Sequence, residues 1–283
     1  MMNKICIIGV GLIGGSLAQA MIRTKHAKHV VGFGRDSQRL QTAQKSGVIT
    51  DYTTDVKDAV NGANMVVIAT PVGSFESILK SIQPHVDASM VITDVGSTKT
   101  SVIKVAESVF GSLPSHFVPA HPIAGKEKSG FEASDGDLFV GRKVIITPTE
   151  SSSAEAVEAV KSVWQATGAT VDMMSAASHD ELLAMTSHLP HMLAFSIMNY
   201  LISQHPSASL YAAGGFRDFS RIASGDPIMW RDICLNNNEA IVKHIKGYRD
   251  TLDNLIDVIE DENTTAIEAL FRDAKNTRDQ WLV

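Results

Sequence analysis

Along the first half of the chain, apolar residues gather into short solid runs separated by stretches with helical spacing. Residues 4–9 form such a run, and 13–23 then place apolar positions three and four apart. Further runs fall at 29–32, 65–70 and 90–94, with a helical pattern over 100–110 and later runs at 117–120, 143–147 and 169–173. Short, fully apolar strands alternating with helices are the signature of a parallel sheet covered on both faces. Beyond residue 175 the runs stop. Ser178 and Glu181 have the spacing of a capping box, which predicts a helix start there. Asp226-Pro227 predicts a second start, an N-cap before a proline at the first helical position. Ile241, Ile245, Tyr248, Leu252, Leu255 and Ile259 recur at helical intervals, and 264–280 carries Ile267, Leu270, Phe271 and Ala274 on one side. The pattern predicts an α/β domain over 1–174 and an all-helical domain over 175–283.

Composition narrows the function class. The chain has 283 residues and a net charge of −6, which argues against a general nucleic-acid binder, since such a protein normally shows a basic face or stripe. No apolar run reaches membrane-spanning length, and the start lacks a signal-peptide pattern. Two distant cysteines, Cys6 and Cys234, make neither a disulfide framework nor a zinc motif, and Cys6 lies within an apolar run as a small hydrophobe. A reduced, cytoplasmic protein is expected.

The first run leads into Gly9-Val10-Gly11-Leu12-Ile13-Gly14, a G-x-G-x-x-G loop between strand and helix. In a dinucleotide site the first glycine makes the turn, the second admits the pyrophosphate and the third lets helix pack on strand. The helix N-terminus then faces the phosphates. This setting predicts a Rossmann-type, doubly wound, mainly parallel sheet that binds a nicotinamide dinucleotide through Gly9, Gly11, Leu12, Ile13 and Gly14, with Thr70 and Pro71 at the end of a neighbouring strand. An acidic residue after the second strand would hold the ribose of NAD. Gly34 stands there instead, followed by Arg35, Asp36 and Ser37, with Arg39 close by. A guanidinium suits a 2′-phosphate, so NADP is favoured, with Asp36 left as the residue that would serve NAD.

Candidate chemistry follows two later strands. Asp94-Val95-Gly96-Ser97-Thr98-Lys99 lies at a strand's carboxyl end, where open α/β sheets bind ligands. His121 follows another strand, and a histidine beside the cofactor can take a proton from an alcohol as hydride leaves the same carbon. Spacing alone leaves a structural role for His121 equally open. Together, Asp-x-Gly-Ser-x-Lys, His121-Pro122-Ile123-Ala124-Gly125-Lys126-Glu127, Ser187-His188-Leu189-Pro190-His191 and Phe216-Arg217-Asp218-Phe219-Ser220-Arg221-Ile222-Ala223 resemble the prephenate/arogenate dehydrogenase family. The resemblance runs in order from the glycine loop to about Trp230. It implies oxidative decarboxylation of prephenate to 4-hydroxyphenylpyruvate, or of arogenate to tyrosine, in tyrosine biosynthesis. By the same resemblance, His121 is the catalytic histidine and Ser97 positions the ring hydroxyl. Arg221 takes the substrate carboxylate, His191 and His188 lie on the substrate side, and Glu127 and Asp218 belong to an ionic network around the site. A homodimer through the helical domain is also implied. With no further domain evident before residue 1 or after Val283, inhibition by tyrosine would act at the active site.

Two other readings compete. A 3-hydroxyacid dehydrogenase would need a catalytic lysine on the first long helix of the second domain, and none occurs between Lys161 and Lys243. A dinucleotide-binding redox sensor would not need His121, Ser97 and Arg221 together. The pair His188 and His191 suggests a metal only weakly, because Pro190 intervenes and no third ligand is in register, so no metal is expected.

Overall fold

The structure is a computed structural model, described for residues 1–281 except Glu127 and Pro206, with the side chains of Ala208 and Ser209 also excluded. The chain opens with β1 (Met2–Ile8), α1 (Leu12–Arg23), β2 (Ala27–Phe33), α2 (Ser37–Lys45) and β3 (Asp51–Thr53). It continues through α3 (Val56–Val60), β4 (Met65–Ile68), α4 (Phe75–Ile82), β5 (Val91–Asp94) and α5 (Thr100–Phe110). These strands form one parallel sheet in the order β3-β2-β1-β4-β5, so the succession of strands runs one way from β1 to β3 and the other way from β4 to β5. Alternate residues of β1 serve opposite faces. Ile5 and Ile7 pack with Leu17 and Met21 of α1, while Cys6 and Ile8 pack with Leu79 of α4 and Val102 of α5. Burial pushes the Cys6 thiol up to about 12, so it acts as the small hydrophobe expected.

A second sheet follows, made of β6 (Ala120–Pro122), β7 (Lys143–Ile146) and β8 (Thr170–Met173), with β6 antiparallel and β8 parallel to β7. The run at 117–120 is mostly not a strand. Phe117 makes a single bridge to Ile92, and the regular strand starts at Ala120, so His121 lies within β6 rather than after it. Between β7 and β8, α6 (Ala154–Ala166) buries Val160, Val163 and Trp164 in the same core as α1.

The helices that follow are α7 (Ala176–Leu183), a wider π-helical turn over Ala184–His188, and α8 (Leu189–Gln204), which carries Pro190 in its first turn. They lead to α9 (Gly214–Ser220), α10 (Pro227–Asn236), α11 (Asn238–Glu260) and α12 (Thr264–Gln280). The expected cap at Ser178 lies one turn too late. Ser175 is the N-cap and its hydroxyl accepts from the Ser178 N–H at 3.1 Å, which frees the residues after Ser178 to face inward. Asp226 caps α10 as predicted, accepting from Ile228 and Met229 N–H groups at 2.9 Å. The chain divides into two compact units, Met1–Asn238 and Glu239–Val283. Helices α7 to α10 thus belong to the same unit as the sheets, because α7 is pinned to α5 and α10 packs on the turn after β4. Among the described residues no helix is long and apolar enough to cross a membrane.

Candidate active site

The glycine loop is shaped by close contacts at two positions. Gly9 has φ +96°, and a Cβ there would lie 2.7 Å from the Ala69 carbonyl oxygen on the turn after β4. A Cβ at Gly14 would collide with the Gly9 carbonyl itself. Gly11 differs, since nothing lies within 4 Å of where its Cβ would be. It precedes α1 without a side-chain cap, so the first N–H groups of that helix have no acceptor of their own. An open backbone beside uncapped N–H groups fits a pyrophosphate.

Beside this loop the cleft has two lobes that share Leu12, Ile13, Val95, Ser97, Lys126, Gly225 and Met229. One, about 420 Å³, is walled by Ala69, Thr70, Pro71 and Val72 against Ile228 and Ile233 of α10. Its mostly apolar wall fits a nicotinamide ring, and it includes four of the predicted cofactor residues. The other, about 450 Å³, holds His121, Ser187, His191, Arg221 and Trp230. A wider hollow of about 610 Å³ opens alongside, bordered by Arg221, Lys126 and Lys128, but it includes neither His121 nor Ser97. The reactive groups therefore meet where the first two lobes join.

At the far end of β2, Gly34 has only ordinary contact with Leu40, so a side chain would fit there. Asp36 caps α2, accepting from the Arg39 N–H at 3.0 Å. Arg39 is 3.2 Å from Glu132 and sits over the Phe131 ring, whereas Arg35 and Ser37 are exposed. Of the two guanidiniums, Arg35 is the one that no described residue holds.

His121 is the start of a hydrogen-bonded chain. Its Nδ1 lies 2.8 Å from His179 Nε2, and His179 Nδ1 lies 2.8 Å from Asp180 Oδ1. Asp180 in turn accepts from the backbone N–H groups of Lys99 and Thr100, both at 2.8 Å, so it caps α5 from another helix. Burial works to raise the Asp180 carboxyl, but hydrogen bonds from His179, Thr100 and Lys99 hold it below the usual range. An ionised Asp180 can only accept, which fixes the tautomers in order. His179 Nδ1–H donates to Asp180, so His179 Nε2 must accept. His121 Nδ1–H then donates to it, and His121 Nε2 keeps its lone pair. Desolvation first, and then His179, Lys99 and His188, hold the His121 imidazolium well below its ordinary pKa. The result is a neutral histidine poised to accept one proton. Ser97, half-buried, makes no hydrogen bond to a described residue, so its hydroxyl is available in the same space.

The remaining predicted residues divide. His191 stacks on Trp230 with ring centroids 3.9 Å apart, its Nδ1–H donating to the Ser187 carbonyl at 2.8 Å. Desolvation and the nearby Arg221 cation lower its pKa. Arg221, in a short turn after α9, borders the same lobe. His188 does not line it. It is 1% exposed, accepts from Asn237 at 3.2 Å and stands edge-on to Trp230, so it supports the wall from behind. Asp218 is exposed on α9 and borders neither lobe. Glu127 lies outside the described residues. Sequence reasoning missed His179, Asp180, Lys99, Asp94 and Trp230. Only the Asp94 and Lys99 pair carried a signal, as the flanks of the serine motif. Among the described residues, no group of three or more His, Cys, Asp or Glu could hold a metal ion.

The sequence matches a family model for the nucleotide-binding domain of prephenate dehydrogenase over residues 17–173, and one for its dimerization domain over 175–273. It is 36% identical to the prephenate dehydrogenase of Bacillus subtilis (strain 168), over 99% of this chain and 76% of that protein. It is 32% identical to the cyclohexadienyl dehydrogenase of Zymomonas mobilis, over 98% of this chain and 95% of that one. Among solved structures, prephenate dehydrogenase from A. aeolicus in complex with hydroxyphenyl propionate and NAD+ superposes with a TM-score of 0.92 at 35% identity, covering 99% of this chain and 98% of that one.

Proposed function

The chain belongs to the prephenate dehydrogenase family, and from that premise we propose that it oxidatively decarboxylates prephenate to 4-hydroxyphenylpyruvate with NADP as acceptor. The observation that carries this reading is the chain from His121 through His179 to Asp180, ending at the lobe that also holds Ser97, His191 and Arg221. A nicotinamide held by the glycine loop and the Thr70-Pro71 wall would supply the hydride acceptor for the ring carbon that bears the hydroxyl. Ser97 Oγ hydrogen-bonds that hydroxyl and His121 Nε2 takes its proton. The resulting imidazolium is stabilised through His179 by the Asp180 carboxylate. Arg221, with His191 beside it, grips the side-chain carboxylate in a two-pronged contact that aims the ring at the cofactor lobe. Loss of the ring carboxylate as carbon dioxide aromatises the ring and drives the reaction forward.

Two observations support the finer choices. Among the described residues that line the substrate lobe, Lys126 and Arg221 are cationic and none is a carboxylate, which favours a keto-acid dianion over the ammonium of arogenate. Gly34 offers no carboxylate to a ribose, and Arg35 beside it suits a 2′-phosphate. Initial rates with prephenate and arogenate, each with NADP and NAD, test the reading through absorbance of reduced cofactor. Turnover with none of the four pairs refutes it.

We also propose a homodimer in which 175–283 forms the substrate-binding and dimerisation part. Ile245, Tyr248, Leu252, Ile256 and Ile259 make an exposed apolar stripe along α11, which a two-fold partner would bury. A solution mass equal to one chain at micromolar concentration would overturn this.

A further inference from the structure

Lys99 and Asp94 form an ion pair with no solvent exposure on either side chain. A buried pair is seldom a net source of stability, because desolvating both charges offsets their attraction. What else the two side chains hold therefore matters more. Lys99 Nζ also donates to the Ala120 carbonyl at 2.7 Å. Asp94 accepts from the Ala120 N–H at 3.2 Å through Oδ1 and from the Gly96 N–H at 2.7 Å through Oδ2. The pair thus fixes both backbone groups of the residue before His121 and the N–H of the residue before Ser97. Through its own backbone N–H, Lys99 also holds Asp180, the far end of the histidine chain.

We propose that Lys99 and Asp94 are positioning residues for this dehydrogenation: the pair locks the strand of His121 to the loop of Ser97 and sets the Lys99 ammonium against the peptide that leads into His121. The proposal rests on the dehydrogenase reading above. Besides burial, the groups that oppose a proton on His121 are Lys99 before α5 and, in their charged forms, His179 on α7 and His188 at the π-helical turn. Asp180 stands behind His179 and Asp94 behind Lys99, while Lys126, His191 and Arg221 line the same lobe. Of the opposing groups, Lys99 alone carries a charge held by a buried carboxylate and also touches the backbone of the His121 strand.

The test uses the full chain and two variants, Lys99→Met and Lys99→Gln. Histidine-labelled NMR follows the His121 titration without substrate, with His121→Asn assigning the signal, and initial rates with prephenate and NADP follow turnover. Removing the cation lets His121 protonate more easily, so its midpoint rises in both variants. Glutamine can still donate to the Ala120 carbonyl, so kcat falls at least about tenfold in Lys99→Met and recovers in part in Lys99→Gln, with KM changed by less than about threefold in each. A role confined to folding would lower Tm and leave the midpoint unmoved. An unmoved midpoint in the variants that fold, or a kcat within about twofold of wild type, overturns the proposal. If Lys99→Met does not fold, Lys99→Gln carries both readouts. Absence of turnover in the wild type would refute the dehydrogenase reading instead, and the NMR midpoint would still report on the pair.

Discussion

Replacing His179 tests whether the histidine chain sets the tautomer of the base. In His179→Ala, the His121 Nδ1–H loses its acceptor at 2.8 Å, and the Asp180 carboxylate loses contact with the ring that becomes charged. Two losses follow. The His121 proton is free to move to Nε2, which removes the lone pair from a fraction of molecules. The imidazolium also loses a hydrogen bond backed by a charge, worth about 1.5–3 kcal/mol, or roughly ten- to two-hundredfold in rate. The whole contribution of a general base is about 10²–10⁴-fold, which bounds the effect from above. The expected fall in kcat is therefore about a hundredfold, with KM for prephenate little changed because His179 does not line the substrate lobe. Glutamine is the informative second variant. Its amide oxygen can accept from His121 Nδ1–H while its NH₂ donates to Asp180, so His179→Gln restores the tautomer order without a second imidazole. Steady-state rates at pH 7.5 should rank wild type above His179→Gln, and His179→Gln at least about fivefold above His179→Ala. If both variants keep kcat within about twofold of wild type, His121 acts without the chain and the tautomer argument fails.

Three other outcomes are expected. Because burial and its neighbours hold His121 well below its ordinary pKa, the acid limb of kcat/KM lies below pH 6.5; a limb at or above that value contradicts a neutral base. His188, lowered to about 4 chiefly by desolvation, is neutral in the folded chain while the unfolded chain protonates near 6.5. Stability is thus full above pH 6.5 and is lost as pH falls towards about 4, by about 2 kcal/mol between pH 7 and 5, and an unchanged urea midpoint over that interval would contradict it. Gly34→Asp places a carboxylate in open contact with Leu40 beside the ribose site, so kcat/KM should fall at least about tenfold with NADP and rise with NAD, whereas an unchanged ratio would mean that Arg35 does not read the 2′ position.

The parts of the fold that repeat a local rule were legible in the chain. The strand runs around Ile5, Val66 and Ile92, the glycine loop and the Asp226-Pro227 cap each follow from a few adjacent residues. What escaped depends on partners distant in sequence. Strand β3 is three residues, Asp51–Thr53, with polar ends and no apolar run, and it exists because β2 supplies its hydrogen bonds. The sequence predicts the start of α7 at Ser178, because Glu181 completes a capping pattern that the structure does not use. Ser175 caps instead, so His179 and Asp180 lie inside α7, where Asp180 meets the N-terminus of α5 and His179 meets His121.

The same reasoning explains why His121 was readable and its support was not. A motif names the group that meets the substrate, since that group and its neighbours in sequence are fixed together. A supporting group is defined by distance in space. Asp180 is eighty-one residues from Lys99 and matters only because its carboxylate completes the helix start that Lys99 opens. His188 shows the converse. It shares a motif with His191 and lies three residues away, yet one ring stacks on Trp230 in the lobe and the other is buried behind it against Asn237. Adjacent histidines on one helical segment thus divide into a ligand-facing residue and a wall-supporting residue. Both engage Nδ1, but in opposite senses: His191 donates Nδ1–H to the Ser187 carbonyl one turn earlier and keeps Nε2 as an acceptor, whereas His188 Nδ1 accepts from the Asn237 side chain beyond α10, which leaves its proton on Nε2.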